Sequence, residues 1–241
     1  MSCDEQGVVM QDPVNEYGVV ILADTTTHER CAQWLSVRFR EANIPSKIIT
    51  TIGRAGTDWQ VFELSPYRRT LKLEADMYFS DPTVVLDWFK MLQNENIWVC
   101  QDVVDYRGNI ITDRRFRKHL DANNLPNVYN AITYFRRCNQ ANKFFNTLKQ
   151  VYENWHKLEL REWDQAEPDQ DTAYAVATAL LDIKYKPLPI HFCHMKGQLN
   201  GCQRNDWTKE LVWEWDAGLR INTYQQRYPT HYYVKEFLDY E

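Results

Sequence analysis

Two carboxylates two residues apart, Glu74 and Asp76, end the apolar run Leu71-Lys-Leu-Glu-Ala-Asp76. On a strand that spacing puts both on one face. A buried strand that ends in acids brings them to the carboxyl edge of its sheet, where open α/β sheets bind ligands. Two like charges held this close favour a divalent cation. Mg2+ or Mn2+ prefers one or two carboxylates completed by phosphate oxygens, and a departing diphosphate needs its developing charge neutralised. An acidic pair at a strand end is equally often a solvated turn, so its meaning depends on the elements around it.

Those elements read as an α/β chain. Tyr17-Gly-Val-Val-Ile-Leu-Ala23 is a continuous apolar run, the pattern of a strand covered on both faces. Asp24 and the threonines after it suit the N-cap of a helix over 27–42, with Cys31, Trp34, Leu35, Val37 and Phe39 as its apolar face. A second strand is expected over 47–52, then a loop at Gly53 and Gly56. A β-α-β opening of this kind is what a nucleotide-binding α/β fold shows. Further expectations are a helix over 83–93, a strand over 97–100, an irregular charged stretch over 102–128 and a strand over 128–135. An amphipathic helix over 139–158, a short helix over 172–181 begun by Pro168-Asp-Gln-Asp171, and a late strand over 188–192 complete the pattern. The tail from Asn200 reads as loop-rich and aromatic. With no internal repeat and no linker, one domain is expected: a flexible N-terminus over 1–16, a catalytic domain over 17–200, and an extension over 201–241 packed on it.

Composition narrows the class. Of 241 residues, 44% are hydrophobic, enough for a core, and nine Trp supply stacking faces for core or cleft. A net charge of −5 excludes a polycation, so a nucleic-acid partner would have to meet a local basic patch. Six Cys with no CxxC pair argue for thiols in a reducing cytoplasm rather than a zinc or disulfide framework. No 18-residue apolar segment occurs, so a soluble protein without a membrane span is expected. The absence of GxxxxGK[ST] and GxGxxG argues against P-loop kinases and dinucleotide dehydrogenases.

The stretch Ser65-Pro-Tyr-Arg-Arg-Thr-Leu-Lys-Leu-Glu-Ala-Asp-Met resembles a segment of the GT-A-fold glycosyltransferases, written broadly as Pro-Tyr-x-x-Thr-x-x-Leu-Asp-x-Asp. That family's first acid is usually Asp; here it is Glu74, which leaves Asp76 as the firmer metal ligand. Asn130-Ala-Ile-Thr-Tyr-Phe135 is similar to the family's Asn-x-Gly-x-x-x-Phe strand, with Ile132 in place of Gly. Asp169-Gln-Asp171 is similar to the family's Asp-Gln motif, whose carboxylate faces the sugars; helix capping is the alternative role. His191-Phe-Cys-His-Met-Lys-Gly197 resembles a late His-Phe…Gly…Lys segment. The resemblance spans roughly residues 17–200. It implies a single GT-A-like domain with a central, mostly parallel mixed sheet flanked by helices. It also implies a Mn2+- or Mg2+-dependent enzyme that moves a sugar from a nucleotide-diphosphate sugar, a UDP-sugar, to a hydroxyl. The metal ligands would be Glu74, Asp76 and His191, with His194 competing for the last place. Asp24, Thr25, Tyr67, Arg68, Glu74 and Lys196 would bind donor. Asp169 and Asp171 would be the catalytic carboxylates, one of them the base in an inverting reaction.

The densest basic run, Arg114-Arg-Phe-Arg-Lys-His119, suits phosphates. Arg114, Arg115 and Arg117 are therefore read as acceptor-binding. The leading acceptor is a hydroxylated or hydroxymethylated base of bacteriophage DNA, with the chain in the host cytoplasm. A base must leave the stack to react, and the aromatic tail could receive it. Alternatives are a cytoplasmic glycan, a lipopolysaccharide precursor or a protein hydroxyl. From other classes come a sugar nucleotidyltransferase, disfavoured by the missing Gly-rich loop after the first strand, and a non-catalytic GT-A-derived module.

Overall fold

The computed structural model describes residues 15–51, 57–101, 118–163, 169–183, 191–193, 213–214, 220–221, 224–225 and 229–232. In chain order the elements are β1 (Asn15–Ala23), α1 (Thr26–Glu41), β2 (Ser46–Thr50), α2 (Val61–Leu64), β3 (Tyr67–Glu74), β4 (Met77–Tyr78), α3 (Val84–Met91), β5 (Ile97–Gln101), α4 (Lys118–Ala122), β6 (Val128–Arg136), α5 (Asn139–Glu153), α6 (Gln170–Leu180), β7 (His191–Cys193), β8 (Trp213–Glu214), β9 (Arg220–Ile221), β10 (Tyr224–Gln225) and β11 (Thr230–Tyr232).

The central sheet has the order β2-β1-β3-β6-β5. β1 runs parallel to β2 and β3, while β6 runs antiparallel to both β3 and β5. Four of the five strands therefore share one direction, in the mostly parallel mixed α/β sheet that was expected. Helices cover both faces. Along β1, Val19, Ile21 and Ala23 enter one core with α1 and α3, whereas Val20 enters the other with α5 and α6. That alternation is the period of a strand buried on both sides. Two further sheets, β10-β9-β8 and β4-β11-β7, have three short strands each.

The helices follow their apolar stripes. Cys31, Ala32, Leu35 and Phe39 are the buried face of α1, Thr25 caps its start, and Arg38 and Arg40 complement the dipole of its last turn. Val37, expected on the apolar face, is exposed, since it lies a half-turn away from Leu35 and Phe39. The buried face of α5 is Ala141, Phe144, Phe145, Leu148 and Val151, but the helix ends at Glu153. A 3-10 turn at Trp155–Lys157 follows, so the expected single helix to 158 is broken at Asn154. The stretch expected to be irregular contains α4, whose His119 and Leu120 are buried. β1 begins at Asn15, two residues before the apolar run, because Asn15 registers with Tyr67 of β3. Among the described residues no helix is long and apolar enough to cross a membrane.

Candidate active site

β3 is a strand whose last residue, Glu74, emerges at the sheet's carboxyl edge; Ala75 and Asp76 turn the chain into β4. Parallel register places Leu22 of β1 beside Glu74, so Asp24 and the start of α1 arrive at the same edge. Thr25 Oγ1 accepts from the His28 N–H at 3.1 Å, and Asp24 Oδ1 bonds His28 Nδ1. That hydrogen bond holds the Asp24 carboxyl below its ordinary range. The other nitrogen of the same ring, His28 Nε2, lies 3.9 Å from Asp76 Oδ2.

The third side comes from the far end of the chain. β4 pairs antiparallel with β11, Met77 opposite His231, and the Tyr232 N–H donates to the Asp76 carbonyl at 3.0 Å. This ladder brings His231 Nε2 to 2.9 Å from Asp76 Oδ1 and 3.3 Å from Glu74 Oε2. Its Nδ1 bonds the Tyr129 hydroxyl from β6, and the two rings meet edge to face at 5.6 Å. A ligating His is held by a partner on its other nitrogen in just this manner. One ligand atom from each of Glu74, Asp76 and His231 lies within 4.8 Å of the other two. Around an octahedral ion with bonds of about 2.1 Å, cis donors stand about 3 Å apart and trans donors about 4.2 Å. The cluster is thus of a size and composition that could hold a divalent cation. Burial pushes the Glu74 carboxyl up, His231 and Lys72 pull it down, and Asp76 and Asp171 raise it further. A bound cation would relieve that crowding of negative charge.

The start of α6 closes the site on the side of β6. Asp171 Oδ1 accepts from the Asn130 N–H at 2.7 Å, which fixes this carboxylate near enough to Glu74 to act on its charge. Asp169 has a different task. It is the N-cap of α6: Oδ1 accepts from the Thr172 N–H at 2.8 Å and Oδ2 from the Thr172 hydroxyl at 2.6 Å. The same hydroxyl lies 2.7 Å from Nε2 of the buried His119, tying α4 to α6.

Not every residue expected at the site is brought to it. Tyr67 and Arg68 begin β3 and lie at the opposite sheet edge from Glu74, roughly 20 Å away at about 3.3 Å per residue. Tyr67 is a core residue there, its ring lying over Gly18 and its hydroxyl pushed up to about 12 by burial. Arg68 is exposed and faces Glu16 at 3.8 Å. Both were expected to bind donor, and the structure places them at the far end of the eight-residue strand from Glu74. His191 opens β7 and registers with Thr230, the neighbour of His231, while its side chain lies outside the described residues. Arg114, Arg115, Arg117, His194 and Lys196 also lie outside them. The sequence reading missed His231 and His28. The first sits in an aromatic tail with no local signal. The second stands four residues after Asp24, a helical spacing that was available to be read.

No family model matches the chain, and no curated protein sequence matches it. Among solved structures it is similar to an active-site mutant of LgtC, with 11% identity, 90% of this chain and 87% of that one covered, and a TM-score of 0.47. It is also similar to mouse xyloside xylosyltransferase 1, with 7% identity, coverage of 90% and 97%, and a TM-score of 0.44. A third is the 4-diphosphocytidyl-2C-methyl-D-erythritol synthase of Anaerococcus prevotii, with 10% identity, coverage of 73% and 87%, and a TM-score of 0.36. At these identities and scores the chemistry has to be read from this chain's own residues.

Proposed function

We propose that the chain is a divalent-cation-dependent glycosyltransferase that transfers a sugar from a nucleotide-diphosphate sugar, a UDP-sugar, to a hydroxyl acceptor. The observation that carries this reading is the convergence of Glu74, Asp76 and His231 at the carboxyl edge of a mostly parallel sheet, with Asp171 beside them. A cation held by those three residues supplies charge neutralisation to the diphosphate. In this reading Asp24 and His28, which join the end of β1 to Asp76, meet the nucleotide part of the donor. In this reading Asp171 accepts the acceptor's proton as the new bond to the sugar carbon forms and the bond from that carbon to the diphosphate oxygen breaks. Asp169, occupied in capping α6, is a support for Asp171 rather than a second acid or base.

The acceptor proposed is a hydroxylated or hydroxymethylated DNA base, on the strength of Arg114, Arg115 and Arg117 in the sequence. A cytoplasmic glycan, a lipopolysaccharide precursor or a protein hydroxyl is the alternative.

The test is nucleotide release from a panel of UDP-sugars with Mn2+, wild type against Asp76→Ala. Loss of at least about a hundredfold in turnover is expected in the variant; equal turnover would defeat the cation assignment. Pyrophosphate release from a sugar phosphate and a nucleoside triphosphate would instead identify a nucleotidyltransferase. A mass increase of one sugar on DNA containing hydroxymethylated cytosine or uracil would establish the acceptor, and its absence would remove DNA.

A further inference from the structure

A buried ammonium stands directly behind the candidate base. Lys72 is the sixth residue of β3 and exposes no surface. Its neighbours Leu71 and Leu73 belong to the α1–α3 core, so Lys72 projects to the other face, among α5 and α6. Its Nζ donates to the Asn130 carbonyl at 2.9 Å and to Asn130 Oδ1 at 2.6 Å, and it lies 5.4 Å from the centre of the Tyr174 ring. A second buried group on this face is Asp58, in a 3-10 turn, a carboxyl 2% exposed that burial pushes up while Lys72 pulls it down.

Packing does not account for a lysine here. A Leu or Met would fill the same space without the desolvation of an ammonium, and replacing buried ion pairs by apolar residues is often neutral or stabilising. What only the ammonium does is satisfy both oxygens of one residue from one point. Asn130 is 1% exposed, so without Lys72 those oxygens would have no water to turn to. With its oxygens clamped, Asn130 presents its donors to the start of α6. Its N–H goes to Asp171 Oδ1 at 2.7 Å and its Nδ2 to Gln170 Oε1 at 3.4 Å.

We propose that Lys72 is a positioning residue: through Asn130 it fixes the Asp171 carboxylate at the site. The role assigned to Asp171 rests on the transferase reading, whereas the link from Lys72 to Asp171 can be read with or without turnover.

The experiment compares wild type, Lys72→Met, and Lys72→Met combined with Asp58→Asn. The double variant removes both buried charges together and so keeps the fold if the single variant leaves Asp58 unpaired. Two readouts are taken on each folded variant: native-state hydrogen exchange at the Asn130 amide, and donor turnover with KM and kcat separated. The expected result is exchange at Asn130 faster by about tenfold or more, with Leu73 and Ile132 unchanged. With it, kcat should fall about tenfold while donor KM stays within about twofold. In an Asp171→Asn background, Lys72→Met should lower kcat no further. Wild-type exchange at Asn130 in the double variant overturns the proposal, as does lost protection with kcat unchanged in an active enzyme. A wild-type chain that turns over no donor, yet loses Asn130 protection in the variants, overturns the transferase reading and upholds the link.

Discussion

His231→Ala is the sharpest probe of the site, because the pairing of β11 with β4 brings His231 to the two carboxylates. Its Nε2 lies 2.9 Å from Asp76 Oδ1 and 3.3 Å from Glu74 Oε2, so it would contribute one of three protein donors to a bound cation. Partners that merely orient a ligand are worth about 10–100-fold in metal affinity. Removing the ligand itself should therefore weaken Mn2+ binding by at least about 100-fold, about 2.7 kcal/mol. Tyr129→Phe takes away only the bond to Nδ1 and should cost less, about tenfold. The assay is calorimetric titration with Mn2+ at neutral pH, with His191→Ala as the control. In the cation-free protein His231→Ala also leaves Glu74 and Asp76 without their imidazole neighbour. Its melting temperature must accordingly be measured first and the titration run well below it. His191→Ala tests the ligand expected from the sequence, whose side chain lies outside the described residues. Affinity within about twofold of wild type in His231→Ala, or loss in His191→Ala instead, would refute the geometric argument.

Two more outcomes concern Gly18 and Asp24. A Cβ added at Gly18 would stand 2.4 Å from the Tyr67 ring, so Gly18→Ala should cost about 1–3 kcal/mol and lower the melting temperature by roughly 3–10 °C, with donor turnover retained; an unchanged melting temperature would show that the ring moves without cost. The Asp24 carboxyl titrates lower in the folded chain than its ordinary 3.8, chiefly through its bond to His28. Its contribution is therefore fully present above the unfolded-state value and lost as pH falls through the folded one. Asp24→Asn should lower stability at pH 7, and the gap to wild type should close as pH drops below about 4. Denaturant melts across that range measure it, and a gap that does not close would mean the pair contributes nothing through charge.

Much of the fold was legible in the chain because it is written locally. The apolar run of β1 and the stripes of α1, α3 and α5 are periodic signals within ten or fifteen residues, and each made the element expected of it. The acid pair ending β3 was legible for the same reason: strand and carboxylates are contiguous. Asp171 and Asp169 could be named, but not told apart. Which one caps α6 and which one meets Asn130 depends on where β6 lies, and helix-start chemistry is similar for both.

Tyr67 and Arg68 were read as donor-binding by resemblance; where they stand relative to Glu74 depends on the strand between them, which carries its two ends to opposite edges of the sheet. The sequence by itself determined the α/β class, the strand-to-acid transition and the capped helix starts, all consequences of local periodicity and backbone sterics. Only the tertiary structure decided that the third partner of Glu74 and Asp76 is His231, 155 residues beyond Asp76 in the chain, and that Lys72 points its charge at Asn130. Both depend on strand register between distant segments, which follows from the summed burial of two whole cores and leaves no mark on any short stretch of residues.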